Sequence, residues 1–167
     1  MSSARPQQFI PRNPEKYAGD PYKIIARSSW ELIYMRALDQ SPLVSKWVSE
    51  PKFLNISYQS PIDKKVKQYW PDFLIVYVSG EKELVEIKPL KEASLREAKS
   101  DYDKLMFAQN VMKWQAAQRV AKMIGAKFRL VTEAQLFVSK AKQPQRSRTS
   151  KSTVKPLRTL KPRGTRK

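Results

Sequence analysis

Pro71-Asp72-Phe73-Leu74-Ile75-Val76-Tyr77-Val78-Ser79-Gly80-Glu81-Lys82-Glu83-Leu84-Val85-Glu86-Ile87-Lys88 reads as a β-hairpin with charge placed inside it. Residues 73–78 form an apolar run rich in β-branched and aromatic side chains, Ser79-Gly80-Glu81-Lys82 supplies a turn, and residues 84–88 are a second short strand. Side chains alternate along a strand, so Glu86 and Lys88 share one face while Val85 and Ile87 point to the other.

Upstream of the hairpin, Trp30, Ile33, Tyr34 and Leu38 recur at helical spacing and predict a first helix over 30–39, stopped by Ser41-Pro42. Strand-like segments run through 44–48, 52–58, 68–78 and 84–89. Downstream, a long helix is predicted over 93–124, ended by Gly125 as a C-terminal cap. Phe107, Val111, Trp114, Ala121 and Ile124 fall on one stripe of it, widened by Leu105, Met112, Val120 and Met123. That stripe is core and not a cofactor box. Residues 127–131 read as a closing strand, and Thr132 with 133–137 as a terminal helical turn. The whole is an α/β domain with one mixed central sheet flanked by helices. Residues 1–22, rich in proline and polar groups, read as an extended arm with Phe9, Ile10, Tyr17 and Tyr22 as its anchors.

The charges in the hairpin have a use. Phosphodiester hydrolysis needs a divalent cation on hard oxygen ligands and a lysine to position water or steady the charged phosphate. Asp72, Glu86 and Lys88 supply those groups. A Glu-x-Lys pair is also what a solvated cross-strand charge pair looks like. The Pro-Asp on a neighbouring strand and a third carboxylate upstream, Glu31, favour the chemical reading. Glu31 itself has two readings, because Ser28-Ser29-Trp30-Glu31 matches a capping box in which the glutamate bonds back to the helix start.

Composition narrows the alternatives. The chain has no histidine and no cysteine. This excludes histidine-metal nucleases, Ser-His-Asp and Cys-His triads, zinc fingers and zinc deaminases, and it rules out a disulfide framework. Only oxygen ligands remain, which suit magnesium or manganese over zinc or copper. With 167 residues, 41% of them hydrophobic, a single domain with its own core is expected. No apolar run approaches a membrane span and residues 1–8 lack the apolar segment of a signal peptide, so a soluble, unexported protein with no membrane partner is expected.

Charge is uneven along the chain. Residues 139–167 hold 11 basic residues and no acidic one, so that of the net charge of +18 only +7 belongs to residues 1–138. With hardly any large apolar residue, this segment is expected to be a disordered basic tail that attracts polyphosphate without reading sequence. Arg146, Arg148, Lys151, Lys155 and Arg158 are its candidate DNA contacts. Lys113 and Arg119 are those of the long helix, and Lys113 or Gln115 is placed to approach the carboxylates.

Five segments in order, Pro11-Arg12-Asn13-Pro14-Glu15-Lys16-Tyr17, Arg27-Ser28-Ser29-Trp30-Glu31, Ser60-Pro61-Ile62-Asp63, Tyr69-Trp70-Pro71-Asp72-Phe73 and Glu86-Ile87-Lys88-Pro89, resemble the head completion nucleases of T-even-type tailed bacteriophages. That family is similar to the endonuclease subunit of heteromeric transposases, and both belong to the PD-(D/E)xK nuclease superfamily. The likeness covers roughly residues 9–138; the basic C-terminus is not part of the family pattern. The resemblance implies a restriction-endonuclease-like fold over 23–138, with Asp72 and Glu86 as metal ligands, Glu31 as the helix carboxylate completing the site, and Lys88 as the catalytic lysine. It implies a magnesium-dependent hydrolase acting on double-stranded DNA at the portal before neck and tail join, with portal and neck proteins as partners. The expected location is the host cytoplasm during assembly and then the portal and neck region of the virion. The alternatives are a structural neck or head-completion protein that binds DNA without cutting it, and a transposase-type endonuclease subunit.

Overall fold

A computed structural model describes residues 5–138. In chain order, β1 (Gln7–Gln8) pairs with β2 (Ile25–Ala26), helix α1 (Ser29–Gln40) follows, and β3 (Val44–Ser49) enters the main sheet. Two short strands, β4 (Ser57–Gln59) and β5 (Val66–Gln68), form a separate hairpin ahead of β6 (Phe73–Tyr77) and β7 (Lys82–Ile87). The helical turn α2 (Leu90–Ala93), the long helix α3 (Asp101–Met123), β8 (Lys127–Val131) and α4 (Glu133–Val138) complete the order.

The main sheet is mixed, as expected, with four strands in the order β3-β6-β7-β8. The pairs β3–β6 and β6–β7 are antiparallel, and β7–β8 is parallel. A parallel pair needs a long crossover, and α3 is the body of it. The β6–β7 hairpin sets Phe73 opposite Val85 and Leu74 opposite Leu84. Gly80 closes it at φ +86, a conformation that costs other residues strain.

Alternation along these strands splits the interior into two cores. Phe73, Ile75, Val85 and Ile87 face Met35 and Leu38 of α1 together with Trp47. Leu84 and Leu74 face the other way, onto Ala116, Ala117 and Ala121 of α3 and onto Tyr58 and Tyr69. The hairpin and the first helix therefore match the reading of the sequence. The α1 start is fixed by Ser28, whose hydroxyl accepts the Glu31 N–H at 3.1 Å.

Five expectations need correction. The segment 68–78 is not one strand: β5 ends at Gln68 and β6 begins at Phe73. The long helix begins at Asp101 and not at residue 93: residues 90–100 are good helix formers, but Ser100 and Asp103 build a reciprocal capping box that starts a new helix. Its end is as expected. Gly125, at φ +67, lets the Ala126 N–H reach the Ala121 carbonyl at 2.8 Å. The buried stripe is rotated onto Asn110, Trp114, Ala116, Ala117 and Ala121, and Met123 is 82% exposed. Small side chains let the helix lie close to the sheet, so volume and not hydropathy sets the contact face.

The segment 52–58 is not one strand, because a 3-10 turn, Lys52–Leu54, closes on a left-handed Asn55 before β4. In the N-terminal arm Phe9 is buried and Tyr17 packs on the core, but Ile10 and Tyr22 are exposed. What holds the arm is the buried Asp39 carboxylate, which accepts the backbone N–H groups of Arg12 and Asn13 at 2.8 and 3.0 Å. Backbone amides carry no sequence signal. Among the described residues no helix is long and apolar enough to cross a membrane.

Candidate active site

Continuing the β6–β7 register by one residue past Phe73 and Val85 places Asp72 across from Glu86. Like charges directly opposite on a sheet are unfavourable, so this pairing is not there for stability. Each carboxylate is held by its own donor. Asp72 Oδ2 accepts the Ile87 N–H at 2.6 Å, and Glu86 Oε2 accepts the Tyr69 hydroxyl at 2.8 Å. Glu86 is only 4% exposed. Lys88 shares its face, as alternation requires, with Nζ 3.5 Å from Glu86 Oε1.

The electrostatics follow from this crowding. Burial pushes the Asp72 carboxyl well above the usual range, and the neighbouring Glu86 pushes it further. Burial likewise raises Glu86, against the opposing pull of Lys88 and Tyr69. Burial would draw the Lys88 ammonium down, but Glu86, then Asp72 and Glu92, outweigh it and hold the lysine above its ordinary value. Tyr69 is raised by burial and by the Glu86 charge, so its hydroxyl stays a donor. The result is two crowded acids, Glu86 buried and Asp72 half-buried, beside one protonated amine.

Glu31 stands apart from this pair. Its Oε2 accepts the Arg27 N–H at 2.9 Å and its Oε1 the Ser28 hydroxyl at 2.9 Å. The capping reading of the sequence thus holds for Ser28, with the Arg27 amide in place of the Ser28 amide as the glutamate's backbone partner. Glu31 remains close enough for its charge to act on Asp72. Among the described residues, however, no three acidic side chains converge as a group able to hold one ion. Two of the three expected carboxylates come together, and the third sits at the adjoining helix start.

A family model described as TnsA-like endonuclease N terminal matches residues 41–133, more than half of the chain. The chain belongs to this family. The matched segment of this TnsA-like endonuclease family member runs from the end of α1 to the start of α4, so it holds Asp72, Glu86 and Lys88 and leaves Glu31 outside. The head completion nuclease of Enterobacteria phage T4 is 35% identical over 136 residues, covering 75% of this chain and 89% of the relative.

Beside the carboxylates lies an open cavity of about 480 Å³ between the end of β7 and α3, lined by Lys88, Lys91, Glu92, Asn110 and Lys113 among others. Lys113 is half-buried, its ammonium 5.7 Å from the Tyr58 ring centre and 5.9 Å from that of Tyr69. Burial and then Lys88 lower its pKa. It does approach the site, whereas Gln115 is exposed. Arg119 is exposed on α3. Arg146, Arg148, Lys151, Lys155 and Arg158 lie outside the described residues.

Three contributors went unassigned in the sequence. Tyr69 stood in a recognised segment, but nothing in its spacing told that its hydroxyl fixes Glu86. Arg27 and Glu50 form an ion pair tying the α1 start to the end of β3. Glu50 has φ +44, and its N–H donates to the Asp72 carbonyl at 3.0 Å. Such a backbone conformation in a non-glycine residue is strained and is not encoded in any local motif.

Proposed function

We propose that the chain is a divalent-metal-dependent DNA endonuclease of the PD-(D/E)xK superfamily that acts in phage head completion, processing packaged DNA at the portal before neck and tail join. The observation that carries this reading is the pair Asp72 and Glu86, set opposite each other across β6 and β7 with Lys88 alongside. Family membership and the head completion relative support it.

The donor set fits a hard divalent cation. Asp72 and Glu86 offer carboxylate oxygens beyond those engaged by Ile87 and Tyr69. Magnesium is commonly held by one or two carboxylates with waters completing its shell, so two carboxylates suffice. Glu31, at the helix start, acts through water. When bound, magnesium or manganese neutralises charge on the phosphate and makes a water acidic enough to attack it. The chain's own groups orient and hold. The Ile87 N–H fixes one carboxylate, Tyr69 fixes the other, and the protonated Lys88 donates to the attacking water or to a phosphate oxygen.

The chain divides into an arm over 1–22, the nuclease domain over 23–138 and the basic tail over 139–167. Lys113 and Arg119, with Arg146, Arg148, Lys151, Lys155 and Arg158 of the tail, contact DNA phosphates without base preference. Portal and neck proteins are its partners in the virion. The test is cleavage of supercoiled and linear DNA by purified protein with and without magnesium. Cleavage should require the metal and fall by at least about a hundredfold in Asp72→Asn and Lys88→Ala. Binding without metal-dependent cleavage in every form would make this an assembly protein and reject the proposal.

A further inference from the structure

Next to Asp72 the surface carries exposed aromatic rings and lysines that the cleavage chemistry does not use. Trp70 lies two residues before Asp72, with the buried Pro71 between them, and its indole is 43% exposed. The other three tryptophans differ: Trp47 and Trp114 are buried and Trp30 packs against the core. The 3-10 turn Lys52–Leu54 runs alongside Trp70, with the Lys52 ammonium 5.1 Å from the indole centre. Phe53, in the middle of that turn, is 64% exposed.

The turn is tied to the site. Glu50 hydrogen-bonds the Asp72 carbonyl, the Leu54 N–H closes on the Pro51 carbonyl at 3.1 Å, and Asn55 ends the turn at φ +47. Both rings therefore ride on backbone that is fixed relative to the carboxylates. The adjoining β4–β5 hairpin adds Lys64, Lys65 and Lys67, so residues 52–70 hold four lysines against one acid, Asp63.

Flat rings open to water, with the Lys52 ammonium over one of them and further lysines on the adjoining hairpin, complement the two surfaces of an unpaired nucleotide, its base face and its phosphate. An intact duplex offers phosphates but keeps its base faces stacked. An apolar protein partner would match the rings but not the lysines, so charge complementarity selects the polyanion.

We propose that Trp70, with Phe53 and Lys52, stacks an unpaired base beside the phosphate that is cut. The substrate class is then DNA with unstacked nucleotides at the cleavage point: a frayed or single-stranded end, or a branch. The location of the cut depends on the nuclease reading, but the stacking contact does not.

The experiment uses the full chain in EDTA and measures binding to a labelled oligothymidylate and to a blunt duplex with the same number of phosphates, together with quenching of tryptophan fluorescence. Trp70→Ala should weaken oligothymidylate binding about tenfold, Trp70→Phe by about threefold or less, and duplex binding should stay within about twofold in both. Most of the quenching should vanish in Trp70→Phe. Circular dichroism checks that both variants fold. Unchanged oligothymidylate binding in Trp70→Ala would overturn the proposal and leave the rings to a protein partner; equal loss on both DNAs would overturn it as well. With no metal present, neither failure touches the cleavage reading, which the magnesium assay judges separately.

Discussion

The two faces of the central sheet are built from the same strands to opposite ends. Toward α1, Phe73, Ile75, Val85 and Ile87 meet Trp47, Met35 and Leu38, and the charged groups of that face, Glu83 and Arg129, are paired with each other. Toward α3, Leu74 and Leu84 begin the same pattern, but the next positions on that face are Asp72, Glu86 and Lys88. One residue of phase separates a packed core from a buried glutamate facing a half-buried aspartate. The first face gains stability from apolar area removed from water; the second gives some of it up by crowding two like charges, a cost that the proposed cation would offset.

Substitutions on the two faces should therefore break different things. The largest effect is expected from Phe73→Ala, which opens a cavity in the α1-side core and should cost about 3–5 kcal/mol in urea denaturation. Next is Glu86→Gln on the other face. It should lower metal-dependent cleavage about a hundredfold while leaving stability equal or higher, because it removes one of two repelling charges. A stability loss as large as that of Phe73→Ala would erase the contrast.

The pH response sharpens it further. Asp72 is raised on folding, by burial first and Glu86 second. The folded chain therefore holds its proton more tightly than the unfolded one, and metal-free stability should fall as pH climbs from the ordinary value of 3.8 through the raised one. Asp72→Asn should thus melt at least about 3 °C above the wild type at neutral pH without metal, and the gain should vanish below that window. The smallest effect belongs to the α1 start. Ser28→Ala removes a cap, with an expected cost of about 1 kcal/mol and little change in cleavage at saturating metal.

The pairing of β6 with β7 was legible because a continuous apolar run, a Ser-Gly turn and β-branched residues all agree there. The shared face of Glu86 and Lys88 followed from side-chain alternation, Asp72 from the Pro-Asp that opens the apolar run, and the tie of Glu31 to the helix start from the capping pattern, with the Arg27 amide in place of that of Ser28. The late start of α3 was hidden because residues 90–100 favour helix by composition, and only the Ser100–Asp103 reciprocity breaks it. The docking of the N-terminal arm was hidden because Asp39 grips backbone amides. Tyr69 and Glu50 were invisible for a related reason: each acts across the fold, on Glu86 and on the Asp72 carbonyl, with no spacing rule to announce it.

The charged face is proposed to hold a cation between Asp72 and Glu86. Calorimetric titration of the purified chain with magnesium and with manganese, beside Asp72→Asn and Glu31→Gln, tests it most directly. Saturable binding in the wild type, lost in Asp72→Asn and only weakened in Glu31→Gln, is the predicted result. No saturable binding in the wild type, or equal binding in Asp72→Asn, would contradict the account.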